Sequence, residues 1–421
     1  MTSEVLSQVL LSLAFVVALA RVGGFLFERA GQPAVVGEIV AGILAGPSLL
    51  GFVAPHVGHL LLPPDAKPYL NLLAQLGLVI FMLIVGLEVE TATLGRRAGT
   101  VGAVALGATL LPFLLGLLLA LVIWPWYSVP AGRMPFLLFL GVALAVTAFP
   151  VLARILRDRG LTGTTPGSVA LACAAVIDAV AWLVLAAVVA LAGHGGHSPW
   201  LTLTLVTAFV LIMLLVVRPA LAALQRRGAF DRMSPRALLV AVLVAAVLAA
   251  WFSENIGLHS IFGPFVVGLS LPRVRSAVDM VTTRAADLSS GLLLPAFFVV
   301  AGLQVDVTAL GWRDAGVLVA ALAASMVGKI AGAAGPARLT GMSIHDSLTL
   351  GVLLNTRGLT ELVVLSVGAA AGLLTTTLYT VLVINAVITT LATGPLLSLI
   401  ERWSRKSANR KADPSWTHAS T

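Results

Sequence analysis

TTPGSVALACAAVIDAVAWLVLAAVVALAG, residues 164–193, is almost wholly apolar and carries one charge, Asp178, near its middle. A helix needs about 20 apolar residues to cross a bilayer, so this stretch reads as a membrane span. An ionised carboxylate at bilayer centre costs roughly 2.5–3.5 kcal/mol on insertion scales. A chain that keeps one there uses it to bind or move something. Few other charges share that depth: Glu38, Lys329, Arg357 and Glu361, with Arg21 nearer an edge.

Working outward, twelve further hydrophobic segments can be drawn: 5–27, 33–53, 68–88, 98–123, 134–156, 200–223, 236–253, 257–272, 286–304, 314–335, 345–371 and 375–400. Those at 33–53 and 257–272 are short and broken by Gly and Pro. The chain is 59% hydrophobic and 10% charged, against about 25% charged in soluble proteins. The expected fold is an all-α polytopic membrane protein of about thirteen transmembrane helices, one bundle over 1–403. The polar tail 404–421 reads as disordered and leaves no room for a cytosolic regulatory domain. The first segment starts almost at Met1, lacks a basic n-region and an A-x-A site, and reads as an uncleaved span.

A net charge of +8 and a pI near 10.5 would suit a nucleic-acid partner. The positive charges instead lie in short loops between spans, so no nucleic acid is expected. With the C-terminus inside, the inner loops hold Arg29; Arg96 and Arg97; Arg154, Arg157 and Arg159; Arg218, Arg226, Arg227, Arg232 and Arg236; Arg273, Arg275 and Arg284; Arg338; and a basic tail. The outer loops hold Lys67, Arg133 and Arg313. Positive charge marks the cytoplasmic side. This alternation predicts an outside N-terminus and a cytoplasmic C-terminus in a cell membrane, bacterial inner membrane by preference.

Two parts of the chain resemble each other. GLVIFMLIVGLEVE (77–90) matches GLLLPAFFVVAGLQVD (291–306), LGVALAVTAFPVL (140–152) matches LGVLLNTRGLTEL (350–362) at its start, and GEIVAGILAGPSLLG (37–51) loosely matches IFGPFVVGLSLP (261–272). Second span pairs with ninth, third with tenth, fifth with twelfth. An odd offset of seven inverts one copy relative to the other, giving repeats of about 33–193 and 257–400. Inverted repeats are a signature of secondary transporters, whose site lies where corresponding helices break at mid-membrane. The fifth span carries Pro150 after Thr147, Ala148 and Phe149; the twelfth is interrupted by Asn355, Thr356, Arg357 and Gly358. Proline removes a helix hydrogen bond, and freed carbonyls and half-helix ends can then face an ion.

The same residues resemble a known family: the monovalent cation:proton antiporters of the second branch, which include bacterial sodium or potassium antiporters and plant cation/proton exchangers. The matching strings are QPAVVGEIVAGILAGPSLLG (32–51), LGLVIFMLIVGLE (76–88), VTAFPVLARIL (146–156), AAVIDAVAW (174–182), HSIFGPFVVGLSLP (259–272) and LLNTRGLTEL (353–362). The resemblance implies a homodimer in which a core of two crossed, broken helices moves against a scaffold. It implies that Thr147 and Ala148 form the first crossover and Asn355 to Gly358 the second. It makes Asp178 the ion- and proton-binding carboxylate and Lys329 its basic neighbour. One departure stands out. The family usually has a polar residue before the essential Asp, and here that position is Ile177.

A single carboxylate can serve proton and cation in turn, which predicts one-for-one, electroneutral exchange, with a Lys329 salt bridge in the empty state as one switch. Competing readings are a proton-coupled exporter of an organic cation or small metabolite, and a passive cation channel. An intramembrane enzyme would need a nucleophile–base pair or paired acids at depth, and a lone Asp offers neither. No transition-metal cluster, no P-loop and no cofactor is expected. Cys173 reads as a small packed residue. Arg357 and Glu361, spaced i and i+4, read as a pair on one helix. Glu38 reads as structural or as a funnel lining. Glu88, Glu90 and Asp306 read as solvated span ends. Arg154 and Arg157 read as inner-edge anchors, with Arg154 able to reach an acid. His259 reads as a modulator of pH dependence, and His56, His59, His194 and His197 as outer-loop residues.

Overall fold

The computed structural model describes residues 3–88, 98–161, 163–193, 199–230, 232–272 and 289–412. Glu90, Arg96, Arg97, His194, His197, Arg273, Arg275, Arg284 and residues 413–421 lie outside them, as does the side chain of Glu88. Every regular element among the described residues is helical. A 3-10 turn lies at Pro64–Ala66 and π-helical turns at Met213–Val217 and Ser289–Leu293; the rest are α-helices. They are α1 (Ser3–Arg29), α2 (Ala34–Ala45), α3 (Leu50–Val53), α4 (Pro55–Leu61), α5 (Lys67–Glu88), α6 (Ala98–Ile123), α7 (Arg133–Ala145), α8 (Phe149–Asp158), α9 (Thr165–Leu191), α10 (Pro199–Ile212), α11 (Arg218–Arg226), α12 (Pro235–Asn255), α13 (Phe262–Ser270), α14 (Leu294–Leu303), α15 (Trp312–Leu339), α16 (Ile344–Leu354), α17 (Leu359–Ala370) and α18 (Thr376–Ala412).

Nine described helical spans are long and apolar enough to cross a membrane, or ten if α16 and α17 are one span bent by 42°. The chain is therefore a multi-pass membrane protein, and among the described residues nine or ten of the thirteen expected segments meet this test. Among the described residues the fifth, ninth and tenth segments hold shorter helices: α7 of 13 residues, α8 of 10, α13 of 9, and α14 of 10, which continues the π-helical turn Ser289–Leu293. At about 1.5 Å per residue, none covers a bilayer alone.

Two other expectations are corrected. Helix α18 continues through Ala412, so residues 404–412 are helical rather than disordered. No Gly or Pro falls between Trp403 and Ala412, and an established helix propagates cheaply through good helix formers. His56 and His59 sit on the short helix α4 rather than in open loop.

Close helix packing depends on a few glycines. Gly42 on α2 lies against Gly302 on α14, and Gly86 on α5 lies against Gly268 on α13, each so near that a Cβ would strike the partner backbone. Exchanging second span with ninth and third with tenth turns one contact into the other. Helices α6 and α15 meet at Gly107 and Gly332, each facing the other's carbonyl. Around α6, α9, α15 and α16 the core is built of small and branched side chains, among them Ala105, Cys173, Ile177, Ala333 and Leu353. The buried charges are the exceptions to this apolar interior.

Candidate functional site

Two helices stop and restart beside one another. The first break follows α7, where Val146 is extended at φ −62° and ψ 146°. Helix resumes at Phe149, with Pro150 in the first turn of α8, where its missing N–H costs nothing. The second break follows α16 and ends at Gly358, whose φ of 149° and ψ of −121° suit only glycine. The breaks are stitched directly: Ala148 N–H donates to Thr356 O at 3.1 Å. Thr147 Oγ1 donates to Leu354 O at 3.1 Å, and Thr360 Oγ1 to Thr147 O at 3.4 Å.

A helix ending inside the protein leaves unsatisfied carbonyls at its C-terminus and N–H groups at its N-terminus. Here cations take the first and a carboxylate the second, as the helix dipole favours. Arg357 donates to Ala143 O at 3.1 Å and to Leu144 O at 2.7 Å. Lys329 Nζ donates to Ala145 O and, at 2.7 Å, to Thr147 Oγ1. Three consecutive carbonyls at the end of α7 are thus capped by two buried cations. At the other side of the break, Phe149 N–H points to Asp178 Oδ2 at 3.4 Å.

Asp178 is 2% exposed, and its Oδ1 has no hydrogen-bond partner. Asn355 Oδ1, Asn355 Nδ2 and Thr356 Oγ1 are buried and equally unpartnered. Buried polar groups are nearly always satisfied. Such a cluster of orphans at two helix breaks has the chemistry of a site built for an oxygen-coordinated ion or water. Among the described residues no group of three His, Cys, Asp or Glu stands together.

The structure departs from the sequence reading at Arg357 with Glu361 and at Lys329. Arg357 and Glu361 do pair, and both are buried, but not on one helix. Arg357 lies in the break and Glu361 in the first turn of α17, so the pair ties the second break to its own restart. Lys329 makes no ion pair with Asp178 within 4.0 Å; it holds the end of α7 instead. Arg154 reaches an acid on another element, Glu28 of α1, at 2.5 Å.

Ile177 is buried against the apolar cluster and borders an apolar cleft of about 380 Å³ with Val142, Ala145 and Phe113. Glu38 lines a different cleft, of about 310 Å³, with Phe81, Val151, Arg154 and Leu359. Arg154 also lines an adjoining cleft of about 540 Å³, with Glu28, Gln32, Arg159 and Thr390. Near the far end of α17, His259 and Glu254 line a smaller cleft of about 120 Å³ with Val189 and Ala371. Asp306 caps its own corner, accepting from Thr308 N–H at 3.0 Å.

Sequence reasoning missed Asn385, Ser325 and Thr390. Asn385 stands beside Glu361, accepts from Ser325 Oγ at 3.3 Å, and shares α18 with Thr390, which donates to Arg357 O at 2.9 Å. A signal was present: VIDAV (176–180) recurs as VINAV (383–387).

Residues 13–403 match the family described as "Sodium/hydrogen exchanger, transmembrane". The chain is 36% identical to Cation/H(+) antiporter 19 of Arabidopsis thaliana over 96% of its own length and 51% of that protein. It is 35% identical to Na(+)/H(+) antiporter NhaS4 of Synechocystis over 94% of this chain and 98% of that one. It is 33% identical to K(+)/H(+) antiporter 1 of Saccharomyces cerevisiae over 92% and 45%. The chain spans about half the length of several curated relatives it matches. Its fold is that of the sodium proton antiporter MjNhaP1 of Methanocaldococcus jannaschii, with a TM-score of 0.67, 16% identity, and coverage of 94% of this chain and 99% of that one. With nearly its full length matched and its two helix breaks in place, this chain belongs to the sodium/hydrogen exchanger family.

Proposed function

We propose that the chain is a secondary active antiporter that exchanges a monovalent cation, Na⁺ or K⁺, for protons by alternating access. One observation carries this reading: the buried, half-unpartnered carboxylate of Asp178 faces the start of α8, with the unpartnered side chains of Asn355 and Thr356 also buried in the break region. Asp178 takes the cation or the proton. Oxygens of Thr147, Ala148, Asn355 and Thr356 complete the coordination. Lys329, Arg357 and Glu361 hold the broken helices, and the cleft containing Glu38 and Arg154 is one approach. The two halves of the chain, about 33–193 and 257–400, act as inverted repeats within one transmembrane unit.

The charge count supports electroneutral exchange. Beside the two breaks lie two buried acids, Asp178 and Glu361, and two buried bases, Lys329 and Arg357, with a third buried acid, Glu38, lining the neighbouring cleft. Bound sodium, potassium or a proton each raises that balance by the same single charge. The exchange is electroneutral as long as Lys329 keeps its proton; its Nζ donates to Ala145 O and Thr147 Oγ1. The protein works as a homodimer in a bilayer, in a bacterial inner membrane by preference, with its N-terminus outside and its C-terminus in the cytoplasm. The arginine-rich loops support this orientation.

Everted vesicles with an acidic interior and a pH-sensitive dye test the reading. Dequenching on addition of Na⁺ or K⁺, absent in Asp178→Asn, is the expected result and names the ion. A response to an organic cation alone would replace the cargo. A cation leak that a pH gradient does not stimulate would make the protein a channel.

A further inference from the structure

We propose that Glu361, with the carbonyls of Ala143 and Leu144 and with Asn385 and Ser325 behind it, forms a second cation half-site, the repeat mate of the one at Asp178, which Arg357 fills as a tethered cation. The inference rests on Asp178 being a cation site, and it starts from the chain itself. VIDAV and VINAV share four of five residues and place Asn385 at the position of Asp178. The pairing of LGVALAVTAFPVL with LGVLLNTRGLTEL makes α17 the counterpart of α8. Helix α9 packs against α8, and α18 packs against α17. Asp178 meets the first turn of α8 through Phe149 N–H. Asn385 meets the first turn of α17 through Glu361. The carboxylate has moved from the long helix to the restarting one, and the neighbourhood has kept its geometry.

What surrounds the guanidinium identifies the ligand class. Arg357 is held by three oxygens: Glu361 Oε1, Ala143 O and Leu144 O. A carboxylate with backbone carbonyls is the donor set that oxygen-seeking cations take. Without the guanidinium, these oxygens would suit a monovalent alkali cation. One further oxygen is in reserve: Glu361 Oε2 is buried without a hydrogen-bond partner, while the Asn385 Nδ2 and Arg357 Nε N–H groups beside it are also left unpaired. A pair evolved only to neutralise itself would leave fewer loose ends, because unsatisfied buried polar atoms are costly. Arg357, tethered and always charged, keeps the second half-site closed and leaves one exchangeable site at Asp178.

Cation-dependent thermal stability of the purified, detergent-solubilised full-length protein tests this, comparing NaCl and KCl with choline chloride at equal ionic strength. Wild type against Asp178→Asn reports on the Asp178 site by itself: a saturable shift lost in the variant supports it, and no shift in wild type counts against it. The second half-site is read in the Asp178→Asn background. Adding Arg357→Ala is expected to restore a saturable shift of several degrees, and adding Glu361→Gln to abolish it again. Equal melting of Asp178→Asn/Arg357→Ala in sodium, potassium and choline would overturn the proposal. Should that protein fail to purify in choline, the same variant is solubilised in sodium, potassium or methylguanidinium chloride. Monodisperse protein in any of these supports a vacated cation site, and aggregation in all of them refutes it.

Discussion

Asp178 and Lys329 serve opposite ends of one helix break: the carboxylate accepts from Phe149 N–H at the start of α8, and the ammonium donates to Ala145 O at the end of α7. The two charges are held by backbone dipoles rather than by each other. Lys329 is therefore a helix cap as much as a countercharge. Its replacement by Met would leave Ala145 O buried and unpaired and remove the donor to Thr147. Hydrogen bonds from a charged group are worth about 1.5–3 kcal/mol each, so Lys329→Met should lose roughly 2–4 kcal/mol after the relief of its own burial. Lys329→Arg, which keeps a cationic donor, should lose less than half of that. Thermal unfolding in detergent decides it; equal melting of Lys329→Met and wild type would mean the cap carries no stability.

Gly302 and Gly86 should behave as equivalents. Gly302 faces Gly42 across α14 and α2, and Gly86 faces Gly268 across α5 and α13. A methyl group at either forces two backbones apart, and overpacking costs about 1–3 kcal/mol. Gly302→Ala and Gly86→Ala should each lower stability by that amount. Gly316→Ala, on the open face of α15 where nothing lies within 4 Å, should be neutral or raise it by up to about 1 kcal/mol through helix propensity. A tolerated Gly302→Ala with a disruptive Gly86→Ala would show that the two halves no longer pack alike.

The breaks were legible in the chain because each leaves a local mark. Pro150 falls where proline suits a helix best, in the first turn, and Gly358 adopts a φ that other residues avoid. The lone Asp178 was legible because nothing else at its depth is acidic within its segment. The traffic between breaks was not legible. Arg357 and Glu361 are four apart, which reads as a one-helix pair until the break is placed between them. The capping of Ala143, Leu144 and Ala145 joins residues about two hundred positions apart, and no local pattern encodes such a contact. Span length was less legible than span position: hydropathy measures apolar length, and the described helices α13 and α14 are apolar without being long.

Tyr127 predicts an alkaline limit to stability. It lies between α6 and α7, outside the spans, and donates its hydroxyl proton to Asp314 at the start of α15. Burial, and then the Asp314 carboxylate, push the Tyr127 hydroxyl well above its ordinary range. A pKa raised in the folded protein gives stability that is present below the unfolded value, about pH 10 for Tyr, and lost as pH climbs toward the folded value. Wild type should therefore lose melting temperature above about pH 10 more steeply than Tyr127→Phe. Near pH 8 the order reverses: Tyr127→Phe should be less stable by about 0.5–1.5 kcal/mol, the worth of one hydrogen bond. Parallel pH profiles for the two proteins would remove Tyr127 from the alkaline transition.

Arg154 and Glu28 predict a separation of rate from stability. Their ion pair ties α8, which begins beside Asp178, to α1, and its side chains are 48% and 42% exposed. Exposed pairs contribute about 0–1 kcal/mol, so Glu28→Gln should melt within a degree or two of wild type. Arg154 also lines the cleft of Glu38 and the adjoining cleft of Thr390, so releasing it changes how a cation meets positive charge on the way in. If α8 moves relative to α1 during each cycle, the pair must break each time, and Glu28→Gln should raise the exchange rate a few-fold. The gain should shrink in high salt, where exposed charges are screened. Initial rates of dye dequenching at low and high ionic strength measure this. An unchanged rate at low ionic strength would place both residues on a surface that does not move.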